Sequence, residues 1–262
     1  MTTRMPRRRL LTAGAAALLA ACTPGRRGAT DAPAPGAGAT ATPDAGPTAG
    51  IAPTAPAPAA RTALSAADFG EVGVCSLTRE DVLGPFFLET GLERRDITED
   101  REGRRLRVGL QVVDAECEPV PGAVVELWHA DARGDYSAFL DGSSPDEEGE
   151  GTTFLRGFQV ADADGVVEFE TIHPGWYPGR TPHLHVRVDV EGINWLTTQL
   201  YFPDEHNDQV LAEGPYAARG ERDTRNDRDL GGRSAATVPG NVLAISADGD
   251  GELGRARLGI GY

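Results

Sequence analysis

An all-β fold, a β-sandwich of mostly antiparallel strands with long irregular loops, follows from three features of the sequence. Leu106, Val108, Leu110 and Val112 alternate with Arg105, Arg107, Gly109 and Gln111, the period-2 pattern of a half-buried strand. Further strand patterns lie at 123–129, 166–171, 182–190, 196–202 and 241–246, parted by turn residues such as Ala163, Asp164, Gly165 and Pro174, Gly175. Long helical periodicity is missing, and many short strands joined by Gly, Pro and Asp turns pack best as two facing sheets.

In chain order, residues 1–22 read as an export signal. Arg7, Arg8, Arg9, Leu10 and Leu11 open an apolar stretch through Ala21, a pattern that resembles the twin-arginine signal. Leu19, Ala20, Ala21 and Cys22 resemble a lipobox, which would make Cys22 a lipid anchor. Residues 23–64 are rich in Ala, Pro, Gly and Thr, with too little large apolar surface to offset their ordering entropy, and they read as a linker. Residues 65–262 are left for one catalytic-sized domain. With Cys22 lipidated, Cys75 and Cys117 are an isolated pair in an oxidising compartment, and a disulfide is expected; two buried free thiols are the alternative. Helical turns are expected at 78–83, with Thr78 as N-cap, and at 207–213. The acidic, Gly-rich stretch 143–151 and the charge run 220–233 read as solvated loops.

Charge removes several classes of function. The 262 residues hold 25 basic side chains, all Arg, against 40 acidic ones, a net charge of −15. Six of the Arg lie in residues 1–27, which carry no acid, so the rest of the chain is more negative still. Such a surface repels phosphate backbones and anionic lipid, which excludes a nucleic-acid partner and leaves membrane contact to the anchor alone.

The chemistry concentrates in residues 177–188. His183 and His185 are two apart in a strand and share one face, while Leu184, Val186 and Val188 take the other. Alone, that pair fits a metal chelate and a pair of structural histidines equally well. Neither C-x-x-C spacing for structural zinc nor a neighbouring acid for a two-His-one-carboxylate site accompanies it. Tyr177 lies upstream across the turn Pro178, Gly179, and Tyr136 ends the stretch from Trp128. A phenol titrates near pH ~10 in water. It therefore serves as an oxyanion ligand only for a strong Lewis acid such as iron(III).

The segments VELWHADARGDYS (125–137), FLRGFQ (154–159), TIHPGWY (171–177) running into His185, and LTTQLYF (196–202) closely resemble the intradiol ring-cleavage dioxygenases. The match covers most of residues 70–230 in order. It implies a non-haem Fe(3+) held by Tyr136, Tyr177, His183 and His185, with Arg180 over the substrate and Gln199 in the same pocket. It also implies that both atoms of O2 enter a catechol-type ring to give a cis,cis-muconate-type diacid, with Tyr177 leaving the metal to take up a proton. The substrate class spans catechol, hydroxyquinol, protocatechuate and lignin-derived phenols. His129 and His173 are expected to shape the site, Trp128 and Trp176 to line it or the core, and His206 to have no role. Asp248, Gly249, Asp250, Gly251 and Glu252 read as a turn, since calcium spacing is lacking.

Two departures stand out. GPFF at 84–87 replaces a Gly-Pro-Tyr-Tyr frequent in relatives and loses a hydroxyl, and the N-terminal helical dimerisation segment of the catechol 1,2-dioxygenases has no counterpart. Two rival functions are a non-catalytic cell-surface binding module on the same sandwich and a zinc hydrolase built on His183 and His185.

Overall fold

A computed structural model describes residues 62–70, 76–139, 151–231 and 236–262. The export signal at 1–22, the linker as far as residue 61, Cys75 and nearly all of the 143–151 loop lie outside the described residues. Cys117 is disulfide-bonded.

The chain folds as an all-β sandwich. Its strands are β1 (Arg105–Val113), β2 (Val124–Trp128), β3 (Arg156–Val160), β4 (Val166–Ile172), β5 (His183–Val190), β6 (Ile193–Tyr201), β7 (Ala244–Asp248) and β8 (Gly251–Gly259). One sheet has the order β4-β1-β8-β7 and the other β3-β2-β5-β6. All pairs are antiparallel except β1 with β8. Between the sheets, Val108, Leu110 and Phe169 meet Val125, Leu127, Leu184, Val186 and Leu200, all fully buried. Each such side chain contributes about 1.5–3 kcal/mol by leaving water.

Two strands escape the sequence pattern. β8 puts Gly254 and Ala256 on buried positions between half-buried Leu253, Arg255 and Arg257, so its alternation there is of small against long residues rather than apolar against polar. β3 is short and carries buried Arg156 at its start. The helical turn expected at 78–83 does not form. Thr78 instead bonds to the end of β8, its amide donating to the Gly259 carbonyl and its hydroxyl accepting from the Gly259 amide, each at 2.9 Å. The second expected turn is the helix α1 (Asp204–Leu211), starting three residues earlier than its pattern.

β1 is buried on both faces rather than half-buried. Residues 62–69 lie across its outer side: Arg107 donates to the Thr62 carbonyl at 2.7 Å, and Glu168 accepts from the Leu64 amide at 2.6 Å. Arg107 and Glu168 also pair at 2.6 Å, so each buried charge faces its opposite and further hydrogen bonds. The contacts of the domain thus reach into the stretch that composition assigns to the linker.

Candidate active site

The outer face of the second sheet is where the chemistry assembles. Trp128, His185 and Gln199 are direct cross-strand neighbours on β2, β5 and β6, and His183 stands opposite Tyr201. The loops between strands roof this row with a second small core of Trp128, Ala130, Tyr136, Ala138 and Phe139, joined by Phe86, Phe87 and Tyr177. The His-X-His alternation has therefore done two jobs: its Leu and Val face seals the sandwich while its imidazoles face the roof.

Two loops bring in the tyrosines, and they touch through glycine. A Cβ on Gly134, which has φ +86°, would stand 2.4 Å from the Trp176 carbonyl oxygen, and one on Gly175 would stand 2.5 Å from that of Ala132. Neither position admits a side chain, so the loops bearing Tyr136 and Tyr177 can approach closely.

Four donor atoms converge there. His183 Nε2 is 3.2 Å from His185 Nε2 and 3.3 Å from both the Tyr136 and Tyr177 hydroxyls, and His185 Nε2 is 3.1 Å from Tyr136 Oη. His183 Nδ1 donates to the Thr181 carbonyl at 2.7 Å, which leaves the Nε2 lone pair facing the cluster. His185 is stacked on Trp128 at 4.9 Å, and its Nδ1 has no hydrogen-bond partner among the described residues. Metal bonds of about 2.0–2.2 Å set neighbouring ligand atoms roughly 3–3.5 Å apart, so the cluster has the spacing of a shell around one ion.

The electrostatics fit a demanding metal. Burial pushes both imidazoles well below the usual histidine range, with Arg180 adding to it, so both present neutral lone pairs. Burial pushes both phenols up, Tyr136 farthest. They ionise only against a strong Lewis acid, and two phenolates with two imidazoles make a hard, dianionic donor set suited to a trivalent ion.

Around the donors, Arg180 is the organising cation. Its Nε donates to Asp229 at 2.9 Å, its Nη1 to Tyr177 Oη at 3.1 Å, and its Nη2 to Gln199 Oε1. Gln199 Nε2 donates to the Val82 carbonyl at 2.8 Å, and Tyr201 donates to Gln199 Oε1 at 3.2 Å and to Asp81 at 2.8 Å. Phe86 stacks on Tyr136 at 4.3 Å, and buried Arg156 holds the Tyr136 loop through Ser137 and the Phe86 carbonyl. All six residues singled out from the sequence, Tyr136, Tyr177, Arg180, His183, His185 and Gln199, therefore stand together.

Other positions needed the structure. Asp229 lies in the 220–233 charge run expected to be solvated, yet it is fully buried against Arg180, and its Oδ2 accepts from the Thr181 amide at 2.8 Å. An acidic residue among many acidic residues gave no local signal of this. His129 spends both nitrogens at 2.7 Å on the Ala130 carbonyl and Thr171 Oγ1, so it is not a ligand. His173 and His206 both lie outside this cluster and meet Glu252 instead.

A family model described as dioxygenase matches residues 83–229. The intradiol ring-cleavage dioxygenase of Tetranychus urticae is similar in structure, with a TM-score of 0.66 and 34% identity over 71% of this chain and 94% of that one. The dioxygenase domain of a dioxygenase carbohydrate-binding fusion from Streptomyces sp. SirexAA-E has a TM-score of 0.52 and 30% identity over 70% and 97% of the two chains. The chlorocatechol 1,2-dioxygenase of Rhodococcus opacus is 32% identical over 150 residues, 48% of this chain and 56% of its own. The chain thus spans little more than half the length of that relative. With the family model matching residues 83–229 and the sandwich shared with these structures, the chain belongs to the intradiol ring-cleavage dioxygenase family.

Proposed function

We propose that the chain cleaves a catechol-type ring between its two hydroxylated carbons, placing both atoms of O2 in a cis,cis-muconate-type diacid. The carrying observation is the cluster of two phenols and two neutral imidazoles, 3.1–3.3 Å apart, with Arg180 bonded to one phenol only. Tyr136, Tyr177, His183 and His185 would hold Fe(3+). When bound, that ion supplies the Lewis acidity that ionises the phenols and the redox centre through which catecholate and O2 react.

The two phenols are not equivalent. Tyr136 is 2% exposed and clamped beneath Phe86, whereas Tyr177 is half-buried and its Oη is within reach of the Arg180 guanidinium. Tyr177 is therefore the phenol free to release its position to substrate and to take up a substrate hydroxyl proton at Oη. Arg180, fixed by Asp229 and Gln199, places positive charge where the substrate oxyanion enters. Phe86, at 6.0 Å and edge-on to Tyr177, offers an apolar wall with no hydrogen bond, which favours a ring carrying no polar group on that side.

The test is oxygen uptake by the iron-loaded full chain with a panel of substituted catechols, using isotopically labelled O2. Both labelled atoms in one diacid product support the reading. A coloured, iron-loaded chain that consumes no O2 with any catechol overturns it in favour of a binding module. The same proposal places the enzyme outside the cytoplasm. Arg8, Arg9 and the lipobox-like Leu19 to Cys22 support twin-arginine export and a lipid anchor, and a Cys75–Cys117 disulfide suits that compartment. The mass of the mature N-terminal peptide tests this.

A further inference from the structure

A second donor cluster, sharing no residue with the first, joins the end of β4, helix α1 and the start of β8. His173 follows β4 and is fully buried, His206 lies in α1 and is partly exposed, and Glu252 in β8 is 3% exposed. His173 Nδ1 is 3.0 Å from Glu252 Oε1, and His206 Nε2 is 2.9 Å from Glu252 Oε2. One ligand atom from each of the three lies within 4.8 Å of the others.

Hydrogen bonding among the described residues leaves half of this cluster unsatisfied. Asn207 is fully buried and turns its Nδ2 to the Phe202 carbonyl at 3.5 Å and its Oδ1 to His173 Nε2 at 3.1 Å. An amide oxygen only accepts, so Nε2 carries a His173 proton, and the neutral ring then turns the Nδ1 lone pair to the carboxylate, where a second proton or a cation is needed to join the two. On the other side, His206 Nε2 and Glu252 Oε2 are close, but neither has a hydrogen-bond partner among the described residues. Three electron pairs on three different elements thus converge in a buried place, an arrangement that a cation satisfies. Arg104 Nε approaches Oε2 only to 3.7 Å, from a side chain that is 44% exposed, and leaves that lone pair available.

We infer that His173 Nδ1, His206 Nε2 and the Glu252 carboxylate form a binding site for a divalent transition metal of the Zn2+ class. Two imidazoles and one carboxylate are a donor set that zinc accepts, with the partly exposed His206 side leaving room for water as a further ligand. His173 already has the outer partners such a site needs: Asn207 fixes its ring, which packs on Phe202 at 4.2 Å, and Tyr216 donates to its carbonyl at 2.6 Å. The ion would clip together three elements that otherwise meet through side chains alone. Because His173 lies four residues before Tyr177, the clip would also fix the segment that enters the catalytic roof.

The test compares zinc bound by the as-isolated full chain with that bound by His206→Ala and Glu252→Gln, after dialysis against micromolar Zn2+ and elemental analysis. Zinc at any other site cancels in the difference. The expected result is the loss of a single equivalent in both variants, with circular dichroism unchanged for His206→Ala, whose side chain is partly exposed. Equal zinc in all three proteins overturns the inference and leaves a protonated His173 paired with Glu252. X-ray absorption at the zinc edge of the unaltered chain is a second measurement, independent of how the variants fold. Scattering from two imidazoles supports the site, and a shell with no imidazole overturns it.

Discussion

Two polar clusters sit at the two ends of one short stretch, His173 to Tyr177, and they are built on opposite electrostatic terms. At Tyr177 the donors are two phenols and two imidazoles that burial holds neutral. At His173 the cluster is organised around a carboxylate: burial pushes Glu252 up, but His173 and His206 outweigh it and hold the group at about 2. The first cluster acquires charge only when a strong Lewis acid enters it, so the fold can form without resolving a buried ionic problem there. The second carries its charge from the start, so its partners belong to the stability of the fold. The difference separates residues whose loss removes chemistry from residues whose loss weakens the molecule.

The largest effect expected from this comparison is at Tyr177. Tyr177→Phe should lower turnover by about two orders of magnitude or more, the usual scale for loss of a positioned proton acceptor. Its unfolding free energy should change by only about 1 kcal/mol, one hydrogen bond's worth. Oxygen-electrode rates set against a urea midpoint check both halves. A variant that turns over normally removes Tyr177 from its role, and one that loses several kcal/mol breaks the distinction between the clusters.

Gly134→Ala should come next, and through geometry alone. The added methyl has no room beside the Trp176 carbonyl, and the backbone there has positive φ. The two tyrosine loops must part, and a misplacement of about 1 Å can cost on the order of 100-fold in rate. The expected signature is a shifted phenolate-to-iron absorption band together with lower turnover, since both phenols feel the change. An unchanged band and rate would show that the loop contact does not set the donor spacing.

How far these positions can be read in advance depends on whether the signal is local. His183 and His185 are legible because a strand's alternation fixes their shared face, and the apolar Leu184 and Val186 fix which face that is. Tyr136 and Tyr177 come from motif resemblance, since nothing in period or spacing says that their loops touch. β8 stayed hidden because Gly254 and Ala256 fill a tight place in the sandwich without a hydrophobic pattern. Asp229 and Glu252 were hidden by company: each is one acid in an acidic stretch, and only the fold shows which acid turns inward. The burial of Arg107 depends likewise on Thr62 to Leu64 lying across β1, a tertiary event that composition cannot express.

Asp229→Asn probes the boundary between the two kinds of residue, because Asp229 is a buried charge that serves the neutral cluster. It is the anion that Arg180 faces, and its two oxygens also accept from the Thr181 and Gly231 amides at 2.8 and 3.0 Å. The amide keeps part of the hydrogen bonding and removes the charge. A stability loss of about 1–3 kcal/mol follows, below the 3–5 kcal/mol of a broken buried pair. Freed of its fixed partner, Arg180 should raise KM for the anionic substrate more than it lowers kcat. A fall in kcat alone would mean that Asp229 acts on the chemistry rather than on the seat of the cation.

The smallest expected effect contrasts Glu252 with another carboxyl, Glu126 on β2. Burial raises the Glu126 group to about 7, Arg187 opposing the shift while Glu89 and Asp189 add to it. No imidazole stands in for the histidines that hold Glu252 down, and Arg187 is already paired with Asp189 at 2.9 Å. Because the folded value is above the ordinary 4.5, the folded chain binds this proton more tightly than the unfolded one. The stabilisation is complete below pH 4.5 and is lost as pH rises through about 7. Glu126→Gln is neutral throughout and keeps the shape. It should match the parent at pH 4 and exceed it at pH 8 by about 1–3 kcal/mol, a range reduced from the full shift because the side chain is only partly buried. Taking the difference between the two proteins in urea unfolding at each pH cancels the titration of Glu252 and every other group they share. A flat difference from pH 4 to 8 would show that Glu126 ionises freely in the folded chain, and that burial without imidazole partners is not what sets the two carboxyls apart.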